Sequence, residues 1–439
     1  MAAAAANMAA PASADRRGRC AFLVTKKKRF CKMLVAEGRI FCGEHADKEE
    51  GNGGERMLCP LDPKHTVDRD KLDKHLKKCN SRQKAKPAYY VENINAGPEE
   101  QNETQNQGSL CERSAAELQD LLDKLDAAVS KALPHEPEER FLSHPVFHEE
   151  FNNPKNGASA RKHLKQQASI LGHLEALGLL RRGRCFVEFG AGRGKLSHWI
   201  GRALENSDGP ERPQMLLVER SAARFKADGK QRDAGADLAR LRIDIRHLDL
   251  SKTPPDAGRK AGRRANALVR ALAGKVAATE RRPPLVGVGK HLCGAATDLA
   301  LRCLFPTPAG ESVPVLGLAV ALCCHHRCEW RHYAGRSFFS EMGLSAADFA
   351  DFCRMSGWAT CGRRADGEHE AEDETDAPPG FLSTAERERI GRRCKLLIDR
   401  GRLEFLRGRG FRGRLTRYVD AGVTPENVLL TATPAASPS

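Results

Sequence analysis

The residues of this chain best suited to ligand chemistry form a glycine-rich loop, residues 187–194 (VEFGAGRG), behind a short apolar strand. Three alternate glycines, Gly190, Gly192 and Gly194, allow the backbone to turn sharply and to approach a ligand with no Cβ in the way. The backbone N–H groups of the helix predicted to follow would face the same ligand. The loop therefore predicts a site for a nucleotide-like cofactor.

An acid at the loop entrance, Glu188, separates two classes of cofactor. A dinucleotide fingerprint needs its third glycine one position later, where this chain has Lys195, and Glu188 would repel a pyrophosphate. S-adenosylmethionine has no phosphate and carries a cationic sulfonium, so it suits this loop better. Glu219, which ends the second predicted strand, is expected to accept from the hydroxyls of an adenosine ribose. Asp249, after the third strand, is expected either to accept from the adenine amino group or to cap a helix.

Two segments near the start of the chain, 16–48 and 56–82, have the ligand types of structural zinc sites and are too small to bury a core. The first set comprises Cys20, Cys31, Cys42 and His45. The second set, at finger-like spacing, comprises Cys59, His65, His75 and Cys79. The 15 cysteines of the chain follow no secretory leader, which favours reduced thiols and metal sites over disulfides.

Candidates for acid–base chemistry follow the fourth and fifth predicted strands. Ligands of doubly wound sheets bind outside the carboxyl ends of strands, so Lys290 and His291 would face the transferring methyl group. His291 is the first candidate for the general base, because a neutral imidazole accepts a proton near pH 7, and His325 and His326 are alternatives. Lys290, if protonated, would hold a phosphate or lower the pKa of the attacking hydroxyl.

The same two strand ends also carry thiols, which permit a third metal site. Cys293, Cys323, His326 and Cys328 would have to converge, although no C-x2-C spacing supports such a site. The competing interpretations are substrate orientation and thiols buried at the strand ends.

The elements that must position these residues alternate as in an α/β domain with a parallel sheet and helices on both faces. The last two strands are expected to form an antiparallel hairpin. An amphipathic helix at about 159–180 should cover the sheet, and another at 114–132 is expected to form a short coiled coil or, as its length favours, to pack on the catalytic domain. The predicted strands are 185–189, 215–218, 241–245, 285–289, 315–322, 411–419 and 427–431.

The charge balance indicates the class of partner. A formal net charge of +15 and a pI near 9.2 favour a polyanion such as nucleic acid, although a basic solvated surface would give the same values. No apolar run approaches the roughly 18 residues that a membrane span needs. We therefore expect a soluble nuclear or cytoplasmic protein with no membrane partner, and the sequence names no protein partner.

The catalytic half resembles the eukaryotic tRNA 2′-O-ribose methyltransferases that modify nucleotide 4 of the acceptor stem. The resemblance is carried by VEFGAGRGKLS, VERSAARFKADG, GKHLCGAATDLALRC and ALCCHHRCEW. Residues 56–82 resemble the CHHC finger of minor-spliceosome and gametocyte-factor proteins, and residues 16–48 resemble the CCCH segment that precedes it in this family. The resemblance implies zinc in both fingers, S-adenosylmethionine as cofactor, tRNA as partner, and cytidine, adenosine or guanosine at nucleotide 4 as acceptor.

The fold that follows is a Rossmann-like class I S-adenosylmethionine-dependent methyltransferase domain, preceded by two small zinc-binding modules and a short helical or coiled-coil segment. The alternative is a non-catalytic zinc-finger RNA-binding adaptor with a degenerate Rossmann core and a basic C-terminal part, against which the intact glycine loop argues. Segments 252–284 and 366–376 have no assigned role. The expected segments are 1–15 (disordered, low-complexity), 16–48 (CCCH finger), 56–82 (CHHC finger), 92–110 (linker), 113–140 (helix or coiled coil) and 141–432 (methyltransferase domain).

Overall fold

The computed structural model divides into two compact units, Met1–Lys86 and Pro87–Ser439. The expectations for 1–15, for most of the linker, and for 253–282 and 366–376 fall outside the described residues. The residues that the structure describes are 18–25, 29–35, 37–42, 45, 56–79, 81–82, 86–98, 110–205, 207, 209, 211–221, 237–252, 283–306, 313–360 and 382–435.

The smaller unit consists of short hairpins with little apolar core. β1 (Leu23–Val24) pairs with β2 (Arg29–Phe30), and β3 (Arg56–Cys59) pairs with β4 (Asp62–Asp68), both antiparallel. A single short helix, α1 (Leu72–Leu76), follows β4. Because an isolated two-stranded hairpin is marginally stable in water, these hairpins need stabilisation beyond their own strand pairing.

The larger unit is built on an eight-stranded mixed sheet in the order β5-β11-β12-β10-β9-β6-β7-β8. β6 to β10 run parallel, and β11 and β12 pair antiparallel, as the sequence predicts. β12 is also antiparallel to its other neighbour, β10. The strands are β5 (Glu138–Glu139), β6 (Cys185–Phe189), β7 (Gln214–Glu219), β8 (Asp237–Arg242), β9 (Leu285–Cys293), β10 (Val315–Cys323), β11 (Phe411–Arg417) and β12 (Val428–Pro434).

The strand order reverses between β6 and β9. From β6 the chain adds β7 and β8 on one side, whereas β9 and β10 are added on the other side. At such a reversal the segments leaving the carboxyl ends diverge and open a crevice, which is where ligands of doubly wound sheets bind. The glycine loop begins at Gly190, immediately after β6. The topology therefore places the predicted cofactor loop at this crevice.

Helices cover both faces of the sheet, so β6 is buried along its whole length. Phe186 packs with α4 and α5 on one face, and Val187 packs with α6 and α9 on the other. Among the described residues, no helix is long and apolar enough to cross a membrane. The helices are α2 (Ala115–Ala132), α3 (His148–Asn152), α4 (Ala158–Ala176), α5 (Lys195–Glu205), α6 (Ala295–Leu304), α7 (Arg336–Glu341), α8 (Ala346–Ser356) and α9 (Thr384–Arg407).

The α2 helix packs on the larger unit as a single helix. Ser114 and Glu117 form a capping box at its start, which satisfies N–H groups of the first turn. Leu118, Leu121 and Leu125 are buried in a cluster with residues of α8 and α9. The packed-helix interpretation therefore agrees with the structure, and the coiled-coil alternative does not.

The first part of the predicted linker belongs to the fold of the larger unit. Asn95 is 3% exposed, and its Nδ2 donates to the carbonyl oxygens of Ile245 (2.6 Å) and Leu248 (2.7 Å). The backbone of Tyr90 pairs with Leu248 in an isolated bridge. Residues 92–98 are thus held by buried hydrogen bonds, which a polar composition alone does not reveal, and they do not form a linker.

Candidate active site and metal-binding clusters

The loop after β6 has a backbone that favours glycine at three positions. Gly190, Gly192 and Gly194 have φ angles of 60°, 46° and 70°, in the left-handed region that L side chains rarely adopt. A Cβ atom on Gly190 would also lie 3.0 Å from Cδ2 of Leu292 in β9. The alternate glycines therefore form a sharp turn between the carboxyl ends of β6 and β9.

Side chains from β6, β7 and β8 hold this loop. Oε2 of Glu219 accepts from the N–H of Gly192 (2.9 Å), and Nη1 of Arg240 donates to the carbonyl of Gly192 (3.0 Å). Glu188 accepts from the N–H (3.0 Å) and the hydroxyl of Ser197, which ties β6 to the first turn of α5. Arg240 is not among the residues predicted from the sequence, although an arginine within a largely apolar strand is a signal of such a role.

Glu219 is ionised and retains capacity to accept a hydrogen bond. Its Oε1 accepts from the N–H (2.8 Å) and the hydroxyl (2.7 Å) of Ser221. A carboxylate has about four acceptor positions, of which these bonds and the one from Gly192 use three. Burial opposes ionisation, but the hydrogen bonds from Ser221 and Gly192 and the charge of Arg240 outweigh it, so the pKa of Glu219 is lowered. One acceptor position of this carboxylate is therefore left for a further donor.

Asp249 lies at the opposite end of the sheet from the glycine loop. It borders a small cavity together with Leu285, which begins β9, and Val313, which precedes β10. Its Oδ1 accepts from the N–H of Ser251 (2.9 Å). The expected contact with adenine does not fit this position. The sequence predicts a third strand that ends at residue 245, which makes Asp249 the next acid, whereas the strand ends at Arg242.

The acid that follows β8 at the carboxyl edge is Asp244, which sequence analysis misses. Its side chain accepts from the N–H of Arg246 (2.9 Å) and caps a turn of 3₁₀ helix. Oδ2 of Asp244 also lies 3.6 Å from Nη1 of Arg220, the residue after β7. Glu219 ends β7 and Asp244 follows β8, so the two acids lie at the carboxyl ends of adjacent strands. Because the predicted third strand extends to residue 245, it includes Asp244, and Asp249 is the first acid after it.

Lys290, in β9, contacts a histidine for which the sequence gives no signal. Its Nζ lies 3.2 Å from Nδ1 of His163 in α4. Burial, together with the charges of Lys195 and Lys162, lowers the pKa of Lys290 to about 8, while the charge of Glu188 opposes the shift. Burial and the charge of Lys290 also lower the pKa of His163, so this imidazole is neutral and can accept from the ammonium. Lys290 is therefore partly deprotonated near neutral pH.

Two of the predicted bases, His291 and His326, lie in different positions: His291 is within β9, and His326 is beyond the end of β10. The register of β9 against β10 shifts between Lys290 and Leu292, so His291 is the additional residue, and its side chain is outside the described part of the structure. His326 is exposed beyond the end of β10. Partial desolvation and the charge of Arg327 lower the pKa of His326, so it is neutral at pH 7 and able to accept a proton.

His325 belongs to a buried ionic network. Its Nε2 lies 2.8 Å from Oδ1 of Asp399, and Nη1 of Arg402 donates to the same oxygen (2.8 Å). Nη2 of Arg402 donates to Oδ2 of Asp298 (2.6 Å). Each of these four residues is at most 1% exposed. The network joins α6, α9 and the segment after β10, so the structure gives His325 a structural environment and not that of an accessible base.

A cavity of about 370 Å³ adjoins this network. Its lining includes His325, Asp399, Lys395 and Glu426, of which the last two are paired at 2.7 Å. Nδ1 of His325 and Oδ2 of Asp399 have no hydrogen-bond partner among the described residues. Water or a polar ligand in the cavity can satisfy both atoms.

The basic residues of the C-terminal part are largely paired with acids of the same unit. Across β5, Nη2 of Arg417 lies 2.6 Å from Glu136, and Nη1 of Arg414 lies 3.1 Å from Glu138. Such pairs contribute little stability but neutralise charge locally. These arginines fit a surface helix and strand better than a basic RNA-binding tail. The pairs on α9 are Arg392–Glu388, Arg393–Asp126, Lys395–Glu426, Arg400–Glu404 and Arg407–Glu404.

Three thiols meet at the carboxyl ends of β9 and β10. The Sγ atoms of Cys293 and Cys323 are 3.6 Å apart, and the Sγ atoms of Cys293, Cys323 and Cys324 all lie within 4.8 Å of one another. The hydrogen bond with Cys323 lowers the pKa of Cys293 to about 6, and the same contact raises the pKa of Cys323. The set considered from the sequence does not form, because Sγ of Cys328 lies 3.2 Å from Nη2 of Arg402 instead.

The Cys/His set of segment 56–82 converges as its spacing predicts. Cys59 ends β3, His65 lies in β4, His75 lies in α1, and Cys79 follows α1. Nε2 of His75 lies 3.1 Å from Nε2 of His65 and 3.2 Å from Sγ of Cys59, and the two sulfur atoms are 3.8 Å apart. Oδ2 of Asp62 lies 3.7 Å from Nδ1 of His65, a contact typical of histidines that bind a metal.

The set of segment 16–48 converges as well. The ligand atoms of Cys20, Cys31, Cys42 and His45 all lie within 4.8 Å of one another. Nδ1 of His45 lies 3.4 Å from Sγ of Cys20 and 3.3 Å from Sγ of Cys42, and its ring stacks on Phe22 with centroids 3.9 Å apart. Each set offers four sulfur or imidazole donors, which is the donor set of tetrahedral structural zinc.

Comparison with known proteins finds matches along almost the whole chain. Residues 165–433 match the family described as "Methyltransferase TRM13", residues 18–46 match "CCCH zinc finger in TRM13 protein", and residues 56–80 match "U11-48K-like CHHC zinc finger". The chain is 45% identical to the tRNA:m(4)X modification enzyme TRM13 homolog of Mus musculus and 44% identical to that of Homo sapiens, in both cases over 95% of each chain. It is 32% identical to the tRNA:m(4)X modification enzyme TRM13 of Yarrowia lipolytica, over 94% of this chain and 89% of that protein.

Removal of one carboxylate from the buried network should destabilise the larger unit. Asp298→Ala leaves Arg402 buried with one carboxylate partner fewer, and we expect the free energy of unfolding to fall by about 3–5 kcal/mol. Asp120→Ala is the matched control, because it breaks an exposed pair with Lys124 (2.9 Å) and should cost less than about 1 kcal/mol. Chemical unfolding of both variants measures the difference, and equal small losses would show that the network does not stabilise the fold.

Proposed function

This chain belongs to the TRM13 methyltransferase family, and from that premise we propose that it methylates the ribose 2′-hydroxyl of nucleotide 4 in the tRNA acceptor stem, with S-adenosylmethionine as donor. Its relatives are named as tRNA:m(4)X modification enzymes. The ribose oxygen as acceptor, and cytidine, adenosine or guanosine as the nucleotide, follow from the sequence resemblance. The observation that carries the proposal is the glycine loop between Glu219 and Lys290 at one edge of the sheet.

The fold supports a Rossmann-like class I assignment. The parallel core, the reversal of strand order between β6 and β9, and the antiparallel pairing of β11 with β12 agree with a doubly wound methyltransferase sheet. In such a domain the glycine turn would hold the methionine part of the donor, and Glu219 would accept from its ribose. Asp244 replaces Asp249 as the candidate acceptor for the adenine amino group, because it follows β8 at the same edge.

S-adenosylmethionine would supply a methyl group already activated on a sulfonium. When bound, the donor would transfer this methyl group to the ribose oxygen and leave as the neutral thioether, so the protein would have to provide a base that takes up the hydroxyl proton. Lys290 is our candidate for that base, because its amine is partly neutral and is held beside the loop by His163. His291 and His326 remain alternatives. Much of the rate would come from alignment of oxygen, carbon and sulfur.

We assign zinc to the two four-residue clusters and tRNA contacts to the basic modules around them. Structural zinc supplies folding free energy to segments that cannot bury a core, which fits both short hairpins. The net charge of +15 agrees with a tRNA partner, and we place the protein in the nucleus or cytoplasm as part of the same proposal. The adaptor alternative is less well supported, because its basic C-terminal part is paired with acids of the chain.

Position-resolved mass spectrometry tests the proposed reaction. Purified protein is incubated with an unmodified tRNA transcript and donor, and the tRNA is then digested and its nucleosides mapped. We expect one added methyl group on the ribose of nucleotide 4. Methylation on a base, at another nucleotide, or not at all would contradict the proposal.

Donor binding should depend on Glu219 and not on Asp249. Glu219→Gln removes the charge that would bind the ribose, and hydrogen bonds to charged groups contribute about 1.5–3 kcal/mol, so we expect the Kd for S-adenosylmethionine to rise about 10- to 100-fold. Asp249→Asn, at the other end of the sheet, is the control and should leave this Kd within about twofold. Calorimetric titration gives both values, and the reverse order of effects would place the cofactor elsewhere.

The rate of methyl transfer should rise with pH through about 8 if Lys290 is the base. The neutral amine is the active form, so kcat/KM should increase as pH approaches the pKa of about 8 and level off above it. Lys290→Arg cannot deprotonate and should lower kcat by about 10²–10⁴-fold. Lys162→Arg, an exposed lysine in the same region, should remain within about twofold of the wild type.

Two other results would reassign Lys290. Activity that falls above pH 8, with Lys290→Arg still active, would make Lys290 a cation that holds a phosphate. Loss of turnover in His291→Ala, with Lys290→Arg active and donor binding intact, would make His291 the base.

A further inference from the structure

The thiols of Cys293, Cys323 and Cys324 form a cluster that neither zinc finger includes. Cys293 is the last residue of β9, Cys323 is the last residue of β10, and the two are Cα partners in the parallel ladder. Cys324 follows directly, and its Sγ lies within 4.8 Å of the other two sulfur atoms. Three sulfur donors therefore converge from two adjacent strands at the carboxyl edge of the sheet.

The sulfur separation in this cluster matches metal ligation. Two thiolates bound to one zinc ion at about 2.3 Å in tetrahedral geometry lie about 3.8 Å apart, whereas disulfide sulfurs lie about 2.05 Å apart. Cys293 and Cys323 are separated by 3.6 Å, close to the 3.8 Å between Cys59 and Cys79 in the CHHC cluster. We propose that Cys293, Cys323 and Cys324 bind a third zinc ion.

The backbone conformation at Cys324 and Gly294 also supports a functional role for the cluster. Cys324 has a φ angle of 51°, and among the described residues only Asn93 is another non-glycine with positive φ. Such a conformation is costly for a residue with a side chain and tends to persist where function requires it. Gly294 also has positive φ, and a Cβ there would lie 2.4 Å from the carbonyl oxygen of Arg327. These two residues bring the segment after β10 close to the end of β9.

Three protein ligands leave one zinc coordination position open. Structural zinc sites have four protein ligands, whereas sites with three bind water or a substrate atom in the fourth position. Cys293 is exposed, while Cys323 is buried and Cys324 is half-buried, so the open position would face solvent on the side of Cys293. We assign this position to an oxygen ligand, which is water in the free protein. The ion would also link the end of β9, the strand that carries Lys290, to the segment after β10, which carries His326.

Zinc stoichiometry of the full-length chain tests the proposal. The zinc content of protein purified under reducing conditions is measured by inductively coupled plasma mass spectrometry. We expect three zinc ions per chain for the wild type and two for each of the single variants Cys293→Ala and Cys324→Ala. Cys303→Ala, a buried cysteine outside the cluster, should retain three. Cys59→Ala should also lose one zinc ion. The double variant Cys59→Ala/Cys293→Ala should therefore retain one zinc ion. These counts need neither tRNA nor donor, so they can fail while methyl transfer is confirmed, and the reverse also holds.

Thiol protection in the wild type provides a second measurement that does not depend on the folding of variants. With metal bound, Cys293 should resist alkylation in spite of its exposure, and it should react after chelation. A count of two zinc ions in the wild type, rapid alkylation of Cys293 in the metal-replete protein, or a disulfide linking Cys293 to Cys323 or Cys324 in freshly purified reduced protein would overturn the proposal.

Discussion

One buried guanidinium holds the carboxyl edge of the sheet together. Arg402 on α9 binds Asp298 on α6 and Asp399 on its own helix, and Asp399 binds His325 in the segment after β10. Removal of a charged group from water costs several kcal/mol, so the arrangement is stable only when each ionic partner is in place. The segment after β10, which carries Cys324 and His326, is therefore held in place through His325 by contacts with α9 and, through Arg402, with α6.

Positive charge dominates the crevice beside the glycine loop. Lys290 lies near Lys195 and Lys162, and Glu188 is the acid that opposes them. Mutual repulsion and burial favour the neutral amine of Lys290, so its chemistry depends on which charges are nearby. Under the proposed function, phosphates of a bound RNA would stabilise the protonated form of Lys290. Its protonation state would then depend on how closely the nucleic acid backbone approaches.

Sequence patterns predict those parts of the site whose residues lie close together along the chain. The glycine loop and both Cys/His sets could be predicted because spacing alone defines them. Asp249 was misplaced because charged residues, among them Arg240, obscure the edge strand β8. The contact of His163 with Lys290 spans 127 residues, and the network of Arg402 joins two helices that no local pattern connects. Such contacts follow from the tertiary fold and leave no periodic signal.

The two-residue strand β5 forms one edge of the sheet, beside β11. Glu138 and Glu139 pair with Thr416 and Arg417 of β11, whose outer hydrogen-bonding groups would otherwise be available as a template for a foreign strand. The added strand is very short and carries acidic side chains that the arginines of β11 compensate. Pairing with a foreign strand is thereby discouraged at the carboxyl end of β11, where Thr416 and Arg417 already have a partner strand.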